Sequence, residues 1–418
     1  MRLYIDPGTG SMLFAIVIGL FGVLIYFLKG LIVKLRFLIS RGKKTAMDAS
    51  EIPLVIFSDD KRYWPVFEPI VRDLDNRGFD VVYMTASSDD PALENPYPHC
   101  KAQFIGEGNR AFAKLNFLNA TILLSTTPGL DVYQWKRSKY VKYYVHTMHA
   151  PEAGLPMYEV FGMDYYDAIL LNCKHQEEDI RALEKLRDLP AKELTYVGIP
   201  FMDEKLKKVR SMPPAAPHDR TILLAPSWGS NSILNRFGEE AIRALLDTGY
   251  HIIIRPHPQT FQSEKEMVEK LMNEFPNSDR LEWNRDTDNY PVLARSDLMI
   301  SDFSGVIYEF AFLFDKPVIC ALQDFDKSKY DVWWLDTPTW KLEYIPQMGA
   351  ILTEDNVRNI KSLIDSVIED TQYAENRRRI CKEVWLYPEE GSKRVVDYLL
   401  SKYQQLTESE KTEEQAGE

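Results

Sequence analysis

The sequence predicts two doubly wound α/β domains behind an N-terminal transmembrane helix. Short apolar runs alternate with amphipathic helical patterns between residues 51 and 403, as expected for parallel strands covered by helices. A charged and then proline-rich stretch, 206–219, interrupts this alternation and is the predicted linker. The chain has 418 residues, which is too long for one ordinary core and suits two domains.

The N-terminal residues 1–44 are predicted to anchor the chain in the cell membrane. Met12–Leu28 is an uninterrupted apolar run, about as short as a membrane-spanning helix can be. A basic stretch follows it in place of the small-residue site that a cleaved signal peptide would show. Because basic residues favour the inner, anionic leaflet, we expect a single-pass anchor with the globular part in the cytoplasm. A buried core hairpin is the alternative.

The first globular domain, 51–205, is predicted to be doubly wound. Its first strand is followed by Ser58-Asp59-Asp60-Lys61, which lacks the glycine-rich turn of a dinucleotide fold and argues against an NAD-dependent enzyme. The predicted strands are Leu54–Phe57, Val81–Met84, Thr121–Ser125, Tyr143–His146, Ala168–Leu171 and Leu194–Val197, with helices at Tyr63–Arg77 and His175–Leu186.

The second domain, 220–403, repeats the alternation. The aromatic and acidic stretch Asp324–Gln347 is expected to form a lid or docking loop. The polar, acidic residues 407–418 are expected to form a disordered tail. The predicted strands are Thr221–Ala225, His251–Ile254, Leu281–Trp283, Leu298–Ile300 and Val318–Ala321, with closing helices near Glu354–Glu369 and Gly391–Lys402.

Composition excludes several classes of protein. A net charge of −12 argues against nucleic acid as a partner, because nucleic-acid-binding proteins usually carry a basic face. The four cysteines lie far apart without paired spacing, so neither a zinc knuckle nor a disulfide scaffold is expected. We predict no cofactor and no metal.

The stretch Leu298–Pro317 carries the first candidate site. It reads as a buried strand, a small polar loop and a helix that ends at Lys316-Pro317, followed by another strand. Unpaired N–H groups at a helix start favour a phosphate, and Ser304 and Gly305 would let one approach the backbone. The alternative is that Ser304 merely caps the helix.

A second strand end lies before this stretch. The run His251–Ile254 is followed by Arg255-Pro256-His257-Pro258, where the two prolines restrict the backbone. A rigidly presented guanidinium and imidazole suit a phosphate site. Ordinary loop chemistry is the alternative for the histidine.

These two motifs, in this order, resemble those of the CDP-glycerol glycerophosphotransferase family, the membrane-associated teichoic-acid primases and polymerases. The family has an Arg-Pro-His-Pro element and a Ser/Thr-Asp-Tyr-Ser-Ser-Val segment, which Arg255–Pro258 and Ser301–Val306 resemble. The segments Leu223–Trp228 and Val197–Pro200 fit the family as well. The resemblance implies a GT-B architecture of two Rossmann-like domains, in which the terminal helix packs back across the cleft.

The resemblance also points to a histidine in the first domain. The segment His146-Thr147-Met148-His149-Ala150-Pro151 follows a predicted strand, and the family's corresponding segment contains a histidine regarded as the catalytic base. His149 aligns with it, and His146 is assigned to substrate binding. A metal pair is an alternative, but no cysteine or obvious acidic third ligand accompanies the two histidines. A purely structural pair is another.

The expected reaction is transfer of a polyol phosphate from a CDP-activated donor to a hydroxyl of a lipid-linked or glycan acceptor, at the inner face of the membrane. Arg255, His257 and the N–H groups at Ser304-Gly305 would hold the diphosphate while His149 deprotonates the acceptor, so His149 and His257 are the predicted catalytic residues. Glu309 would accept the ribose hydroxyls, as an acidic residue does in many GT-B enzymes. Asp302 is counted among the substrate-binding residues, although fixing the loop is the role its position favours.

Two other functions stay open at this point. One is a GT-B enzyme that uses a nucleotide sugar, either a glycosyltransferase or an epimerase. The other is a membrane-tethered binding protein that has lost activity. A preference for CDP or CMP over UDP would favour the phosphotransferase, and the absence of nucleotide binding would favour the binding protein.

Overall fold

The structure is a computed structural model that describes residues 51–151, 154–155, 158–214, 216–302, 304–321, 331–334 and 339–417. The predicted anchor, 1–44, lies outside these residues. Within them, none of the helices combines the length and apolar composition that crossing a bilayer requires.

The first sheet has seven parallel strands. Their spatial order is 3-2-1-4-5-6-7, so the direction of winding reverses between the first and fourth strands. The predictions missed the third strand because it is half-exposed and too polar to form an apolar run. In chain order the strands are β1 (Ile52–Ser58), β2 (Val81–Thr85), β3 (Cys100–Phe104), β4 (Ala120–Ser125), β5 (Val141–Thr147), β6 (Ala168–Leu171) and β7 (Glu193–Tyr196).

The second sheet has six parallel strands in the order 10-9-8-11-12-13, so its winding reverses between the eighth and eleventh strands. The missed last strand contains Gly349, where an added Cβ would lie 1.8 Å from the Val318 carbonyl oxygen, so only glycine fits. The strands are β8 (Thr221–Ala225), β9 (His251–Ile254), β10 (Leu281–Trp283), β11 (Leu298–Ser301), β12 (Val318–Cys320) and β13 (Gly349–Ile351). The two doubly wound α/β domains are therefore confirmed.

Helices cover the faces of both sheets. Helix 64–76 shows how they are specified, because its buried residues Phe67, Ile70, Val71 and Leu74 recur at three- and four-residue steps and form one apolar stripe. The helices are α1 (Trp64–Asn76), α2 (Asn109–Leu115), α3 (Lys174–Arg187), α4 (Pro200–Ser211), α5 (Ile233–Arg236), α6 (Gly238–Asp247), α7 (Thr260–Ser263), α8 (Lys265–Glu274), α9 (Tyr290–Ala294), α10 (Val306–Leu313), α11 (Trp340–Met348), α12 (Ile360–Glu369), α13 (Thr371–Val384) and α14 (Gly391–Gly417).

The strands are buried on both faces, which explains their continuous apolar sequences. In β1, Leu54 and Ile56 pack on one side of the sheet, while Val55 and Phe57 pack on the other. This alternation follows from the two-residue period of a strand. Each sheet therefore has two apolar layers that fix it between its helices.

Two helices tie the domains together. Helix α4 follows the first sheet, but its Met202 is buried in the core of the second domain. Helix α14 returns to the first domain, where Val395 and Leu399 pack in the same layer as Leu54. This return is the one that the GT-B resemblance implies. Asp203 of α4 fixes the crossing, because its carboxylate accepts hydrogen bonds from the backbone N–H groups of Glu389 (2.7 Å) and Gly391 (2.8 Å).

Two predictions made at the ends of elements were wrong. The predicted linker begins at 206, but α4 continues to Ser211 because Leu206 and Val209 pack against the second core. The predicted disordered tail is helical to Gly417. Its Glu, Lys and Gln residues are good helix formers, and the hydroxyl groups of Ser409 and Thr412 donate to carbonyl oxygens four residues earlier.

Part of the predicted docking loop contacts the first domain. Asp331 is fully buried and forms an ion pair with Arg187 of α3, and its second carboxylate oxygen accepts from the Phe161 N–H at 3.2 Å. Val332 is buried in the first-domain core. Residues 331–334 therefore form a strap from the second half of the chain across the first domain.

Candidate active site

The two second-domain motifs that are predicted to bind phosphate meet at one cavity. Strands β9 and β11 both pair with β8 in parallel, so their carboxyl ends lie at the same edge of the sheet. Arg255 and His257 follow β9, and Ser304 follows β11. All three line a cavity of about 150 Å³ together with Pro226, which follows β8. This volume is below the roughly 300–1,000 Å³ of sites that enclose a whole small-molecule ligand, so the cavity suits one part of a larger ligand.

The Arg255 guanidinium is held at the rim of the sheet. Its Nη1 donates to Oδ1 of Asn284, and its Nη2 donates to the backbone carbonyl of Asp286 at 2.7 Å. Burial lowers the pKa of Arg255, and the nearby carboxylates of Asp286 and Asp288 oppose this shift. Because arginine stays protonated in proteins, the side chain presents a fixed positive charge to the cavity.

The hydrogen bonds of His257 determine its tautomer. Its Nδ1 accepts from the backbone N–H of Gln259 at 3.1 Å, so in the neutral ring the proton lies on Nε2. Its backbone N–H donates to the Pro226 carbonyl at 3.1 Å, which fixes the loop. Burial lowers the pKa of His257. The neutral imidazole therefore offers an Nε2–H donor that does not depend on acid pH.

The helix that follows β11 begins beside this donor. The N-cap of α10 is Gly305, which has no side chain with which to cap the helix, and the carbonyl of Ser304 accepts from the Ile307 N–H at 3.2 Å. The half-buried Ser304 lines the cavity. The first N–H groups of a helix have no intrahelical acceptors, and its dipole favours an anion there.

The hydrogen bonds of Asp302 are structural, and its assignment to substrate binding stays a prediction. Its side chain is fully buried, and its carboxylate accepts from the backbone N–H groups of Ser227 (3.0 Å) and Ile233 (3.2 Å). Burial raises its pKa, and these hydrogen bonds oppose the shift. Asp302 therefore fixes the 227–233 loop against the end of β11.

Glu309 lies in α10 and is not one of the residues that line the cavity. It forms an ion pair with Lys205 of α4, with 2.5 Å between Oε1 and Nζ, and both side chains are mostly buried. The pair joins α4, the interdomain helix, to α10. Its ribose-binding role stays a prediction.

In the first domain, hydrogen bonds orient His149. The hydroxyl of Thr126 donates to the Thr147 carbonyl at 3.0 Å, so its oxygen accepts from Nδ1–H of His149 at 2.6 Å. Nε2 is then the unprotonated nitrogen of the ring. Tyr63 packs edge-on against the ring at 5.1 Å. Burial, and then the charge of Arg62, lower the pKa of His149 to about 4, so the imidazole is a neutral base at pH 7.

His146 lies in the core, which corrects its assignment to substrate binding. His146 is a residue of β5, as predicted, but its side chain has no exposed surface. It packs against Tyr158 and Tyr166, and burial lowers its pKa to about 3. Across the described part of the chain, no group of three or more His, Cys, Asp or Glu is arranged to hold a metal ion.

Sequence reasoning missed the residues that surround His149. Thr127, beside Thr126, donates from Oγ1 to Asp59 Oδ1 at 3.0 Å, so the ends of β1 and β4 are linked. The sequence did contain one signal, because polar residues directly follow the apolar runs of both β1 and β4. The signal could be used only once the structure showed that β1 and β4 are neighbours in the sheet.

The segment that contains His149 also touches the domain boundary. The Ala150 carbonyl accepts from the side chain of Asn172 at 2.8 Å, and the Asn172 carbonyl accepts from the Leu386 N–H at 3.2 Å. Leu386 lies between α13 and α14, the helices that connect the second domain back to the first. His149 therefore lies close to the junction of the domains.

Comparison with known proteins agrees with this architecture. Teichoic acid glycerol-phosphate primase from Bacillus spizizenii (strain W23) is 24% identical over an alignment of 251 residues, and the match covers 56% of this chain. The chain spans 61% of the length of that relative.

Solved structures with the same fold include the wall teichoic acid polymerase TagF, from a crystal soaked with CDPG. Its TM-score is 0.53 at 16% identity, covering 87% of this chain and 92% of that one. UDP-GlcNAc 2-epimerase from Methanocaldococcus jannaschii has a TM-score of 0.52 at 13% identity, covering 84% of this chain and 100% of that one. At these identities the likeness shows the GT-B-like fold.

The family described as CDP-Glycerol:Poly(glycerophosphate) glycerophosphotransferase matches residues 164–401. This match covers more than half of the chain and includes the whole second-domain site. The chain belongs to the CDP-glycerol:poly(glycerophosphate) glycerophosphotransferase family.

Proposed function

We propose that this protein transfers a polyol phosphate, such as glycerol phosphate, from a CDP-activated donor to a hydroxyl group of an acceptor in cell-envelope polymer synthesis. The observation that carries the proposal is the convergence of Arg255, His257 and Ser304 on one cavity at the winding reversal of the second sheet. In open α/β sheets, ligands bind outside the carboxyl ends of the strands at such a reversal. Family membership supplies the donor class.

The donor diphosphate fits the chemistry of this cavity. Arg255 supplies a fixed positive charge, the neutral His257 supplies an Nε2–H donor, and the start of α10 supplies backbone N–H groups. Charge on the equatorial oxygens must be compensated during phosphoryl transfer, and preorganised donors do this without rearrangement. His257 thereby acts on the oxygens of the reacting phosphate and of departing CMP.

His149 would act on the acceptor. As the acceptor oxygen forms its bond to the β-phosphorus, the bond from that phosphorus to the oxygen bridging to CMP breaks. The hydroxyl proton moves to Nε2 of His149, while Nδ1–H stays bonded to Thr126. CMP leaves with the bonding electron pair, and the imidazolium then loses its proton to solvent.

We further propose that the enzyme works at the inner face of the cell membrane on a lipid-linked or glycan acceptor. The run Met12–Leu28 supports this location, and so does the surface of the first domain. Between residues 108 and 147 there are six basic residues and one acidic residue, in a chain of net charge −12. Exposed aromatic side chains accompany them at Phe117 (59% exposed), Tyr133 (61%) and Tyr140 (49%). Aromatic and basic groups together favour an anionic bilayer surface.

The location can be tested on the full chain in nanodiscs. A dye on Tyr133→Cys should be quenched by brominated lipids in discs that contain anionic lipid, whereas the same dye on Leu186→Cys should not. Leu186 is the matched control because it is a 50% exposed apolar residue of the same domain. Equal quenching at both positions, or none at either, would contradict the surface contact.

The donor assignment can be tested by calorimetry with CDP-glycerol, CMP and UDP, and by CMP release with an acceptor. The wild-type chain should bind CDP-glycerol and CMP more tightly than UDP, and Arg255→Ala should lose this binding. Arg243→Ala is the matched control, because this arginine of the same domain has a 58% exposed side chain. Preference for UDP would favour the nucleotide-sugar enzyme, and the absence of nucleotide binding would refute transfer.

A further inference from the structure

The first domain has its own winding reversal, between β1 and β4. The residues that follow these strands, Asp59 and Thr127, meet there through a hydrogen bond of 3.0 Å. The end of β4 is pinned against β1 by Ser125, whose hydroxyl donates to the Phe57 carbonyl (2.9 Å) and accepts from the Thr127 N–H (3.1 Å). This is the position where an open sheet binds ligand. The donor site of the second domain does not use it.

Asp59 lies beside the proposed base. Thr126 and Thr127 are consecutive residues, and one holds His149 while the other holds Asp59. Tyr63, four residues after Asp59, packs edge-on against the His149 ring. Asp59 and His149 are thus joined through Thr126-Thr127 on one side and share Tyr63 as a neighbour, which places both at the carboxyl edge of the first sheet.

A positive charge faces the same place. Arg62 interacts electrostatically with both groups, and its charge lowers the pKa of Asp59 and of His149. Its side chain is 71% exposed and lies 3.4 Å from the Asp60 carboxylate, so a stronger anion could recruit it. Burial raises the pKa of Asp59, in keeping with a carboxylate set into the floor of this site.

We propose that Asp59 and Arg62 form the acceptor subsite for a polyol phosphate end, in which Asp59 accepts a hydrogen bond from the hydroxyl next to the attacking one and Arg62 pairs with the acceptor's phosphate. This inference rests on the proposed transferase function. Thr127 donates to Oδ1 of Asp59, and in this proposal Oδ2 accepts from the second hydroxyl. The neighbouring hydroxyl is then held at Nε2 of His149. The subsite selects acceptors that end in two adjacent hydroxyls followed by a phosphate.

The test compares acceptors and variants in the full-length enzyme. Asp59→Asn should raise the KM for a glycerol phosphate-ended acceptor by about tenfold or more, because one hydrogen bond to a charged group is lost. With the wild-type enzyme, an acceptor analogue that lacks the second hydroxyl should have a KM higher than that of the complete acceptor by a similar factor. With Asp59→Asn, the KM values of the two acceptors should be almost the same. Arg62→Gln should raise the KM for the phosphate-ended acceptor but not for free glycerol. Asp80→Asn, an exposed carboxylate of the same domain, is the control.

The outcomes separate this inference from the proposed function. A wild-type enzyme that neither binds CDP-glycerol nor releases CMP refutes the function itself. Two results with an active wild-type enzyme refute only the subsite. One is that Asp59→Asn leaves the KM for the glycerol phosphate-ended acceptor unchanged. The other is that Asp59→Asn raises the KM of this acceptor and of the analogue without the second hydroxyl by the same factor. Urea unfolding reports whether the first domain of each variant is folded. If Asp59→Asn fails that control, the exposed Arg62→Gln decides alone, and an unchanged KM refutes the subsite.

Discussion

Oγ1 of Thr126 lies 2.6 Å from Nδ1 of His149, and this contact determines which ring nitrogen carries the proton. The Thr126 hydroxyl donates to the Thr147 carbonyl, so it can only accept from the imidazole. The unprotonated Nε2 is therefore fixed before substrate binds. A base needs this arrangement, because a ring in the other tautomer would present a proton to the acceptor hydroxyl.

Thr126→Val should lower kcat by about tenfold or more, since general-base catalysis contributes roughly a hundredfold or more and depends on orientation. Thr126→Ser retains the hydroxyl and should keep most of the activity. CMP affinity should be the same in both variants because the donor site lies in the other domain. Equal kcat values for the valine and serine variants would contradict the orienting role.

The pH dependence of kcat/KM should report the low pKa of His149. Burial and the charge of Arg62 bring this pKa to about 4, so the base stays neutral well below pH 6.5. We expect kcat/KM to be nearly flat between pH 7 and about pH 5 and to fall below that range as His149 becomes protonated. Arg62→Gln removes a positive charge that lowers the pKa of His149, so the acid limb should move to higher pH. An acid limb near pH 6.5 in the wild-type enzyme would show that His149 is not the base in this environment.

His146 should make the fold sensitive to acid. Its pKa is about 3 in the folded chain and near 6.5 when unfolded, so the unfolded state binds the proton first and stability falls as pH drops from 6.5 towards 3. At pH 5 this linkage costs about 2 kcal/mol relative to neutral pH.

His146→Leu should therefore flatten the dependence of unfolding free energy on pH between 7 and 5, measured by urea denaturation. The acid limb of kcat/KM should not move, because His146 is a core residue. A variant that retains the full wild-type pH slope would mean that other groups carry the acid sensitivity.

Asp302 should matter for stability. Asp302→Ala leaves the buried N–H groups of Ser227 and Ile233 without their acceptor, at a cost of about 3 kcal/mol. Asp302→Asn keeps one acceptor oxygen and should lose less. Calorimetry should give a lower Tm for Asp302→Ala than for Asp302→Asn. If Asp302→Ala has the wild-type Tm, water replaces the carboxylate as the acceptor for these N–H groups.

Strand ends made the convergence of Arg255 and Ser304 on one cavity predictable from the sequence. Arg255 and Ser304 each follow an apolar run, and parallel strands that share a neighbour bring their carboxyl ends to one edge. Asp59 and Thr127 follow apolar runs as well, but they are 68 residues apart, and only the pairing of β1 with β4 joins them. His146 was misplaced because the end of β5 is buried on both faces, so a side chain at the last predicted strand position packs against Tyr158 and Tyr166 and does not face the cleft.

Long-range ion pairs were beyond sequence reasoning for a similar reason. Arg187 and Asp331 are 144 residues apart, and the sequence around each is an ordinary charged stretch. Their contact depends on how the strap 331–334 crosses the first domain. The sequence predicted that Asp324–Gln347 would form a lid or docking loop, but not which surface it would contact.

The strap supplies the last prediction. Arg187 lies between Asp331 and Asp164 (2.6 Å from Nη1 to Oδ1), and the exposed fractions of the three side chains are 11%, 0% and 4%. Removing one member of a buried ion pair costs about 3–5 kcal/mol, because the remaining charges lose their partner in a poorly solvated place. Arg187→Met should therefore destabilise the chain by that amount and release the strap, which hydrogen exchange would detect as faster exchange at 331–334.

The matched control is Arg379→Met. Its pair with Glu383 has exposed side chains (44% and 38%), and an exposed pair contributes at most about 1 kcal/mol. The double variant Arg187→Met with Asp331→Asn removes one of the uncompensated charges and should recover part of the lost stability. If both arginine variants lose the same stability and exchange at 331–334 is unchanged, the buried pair does not hold the strap on the first domain.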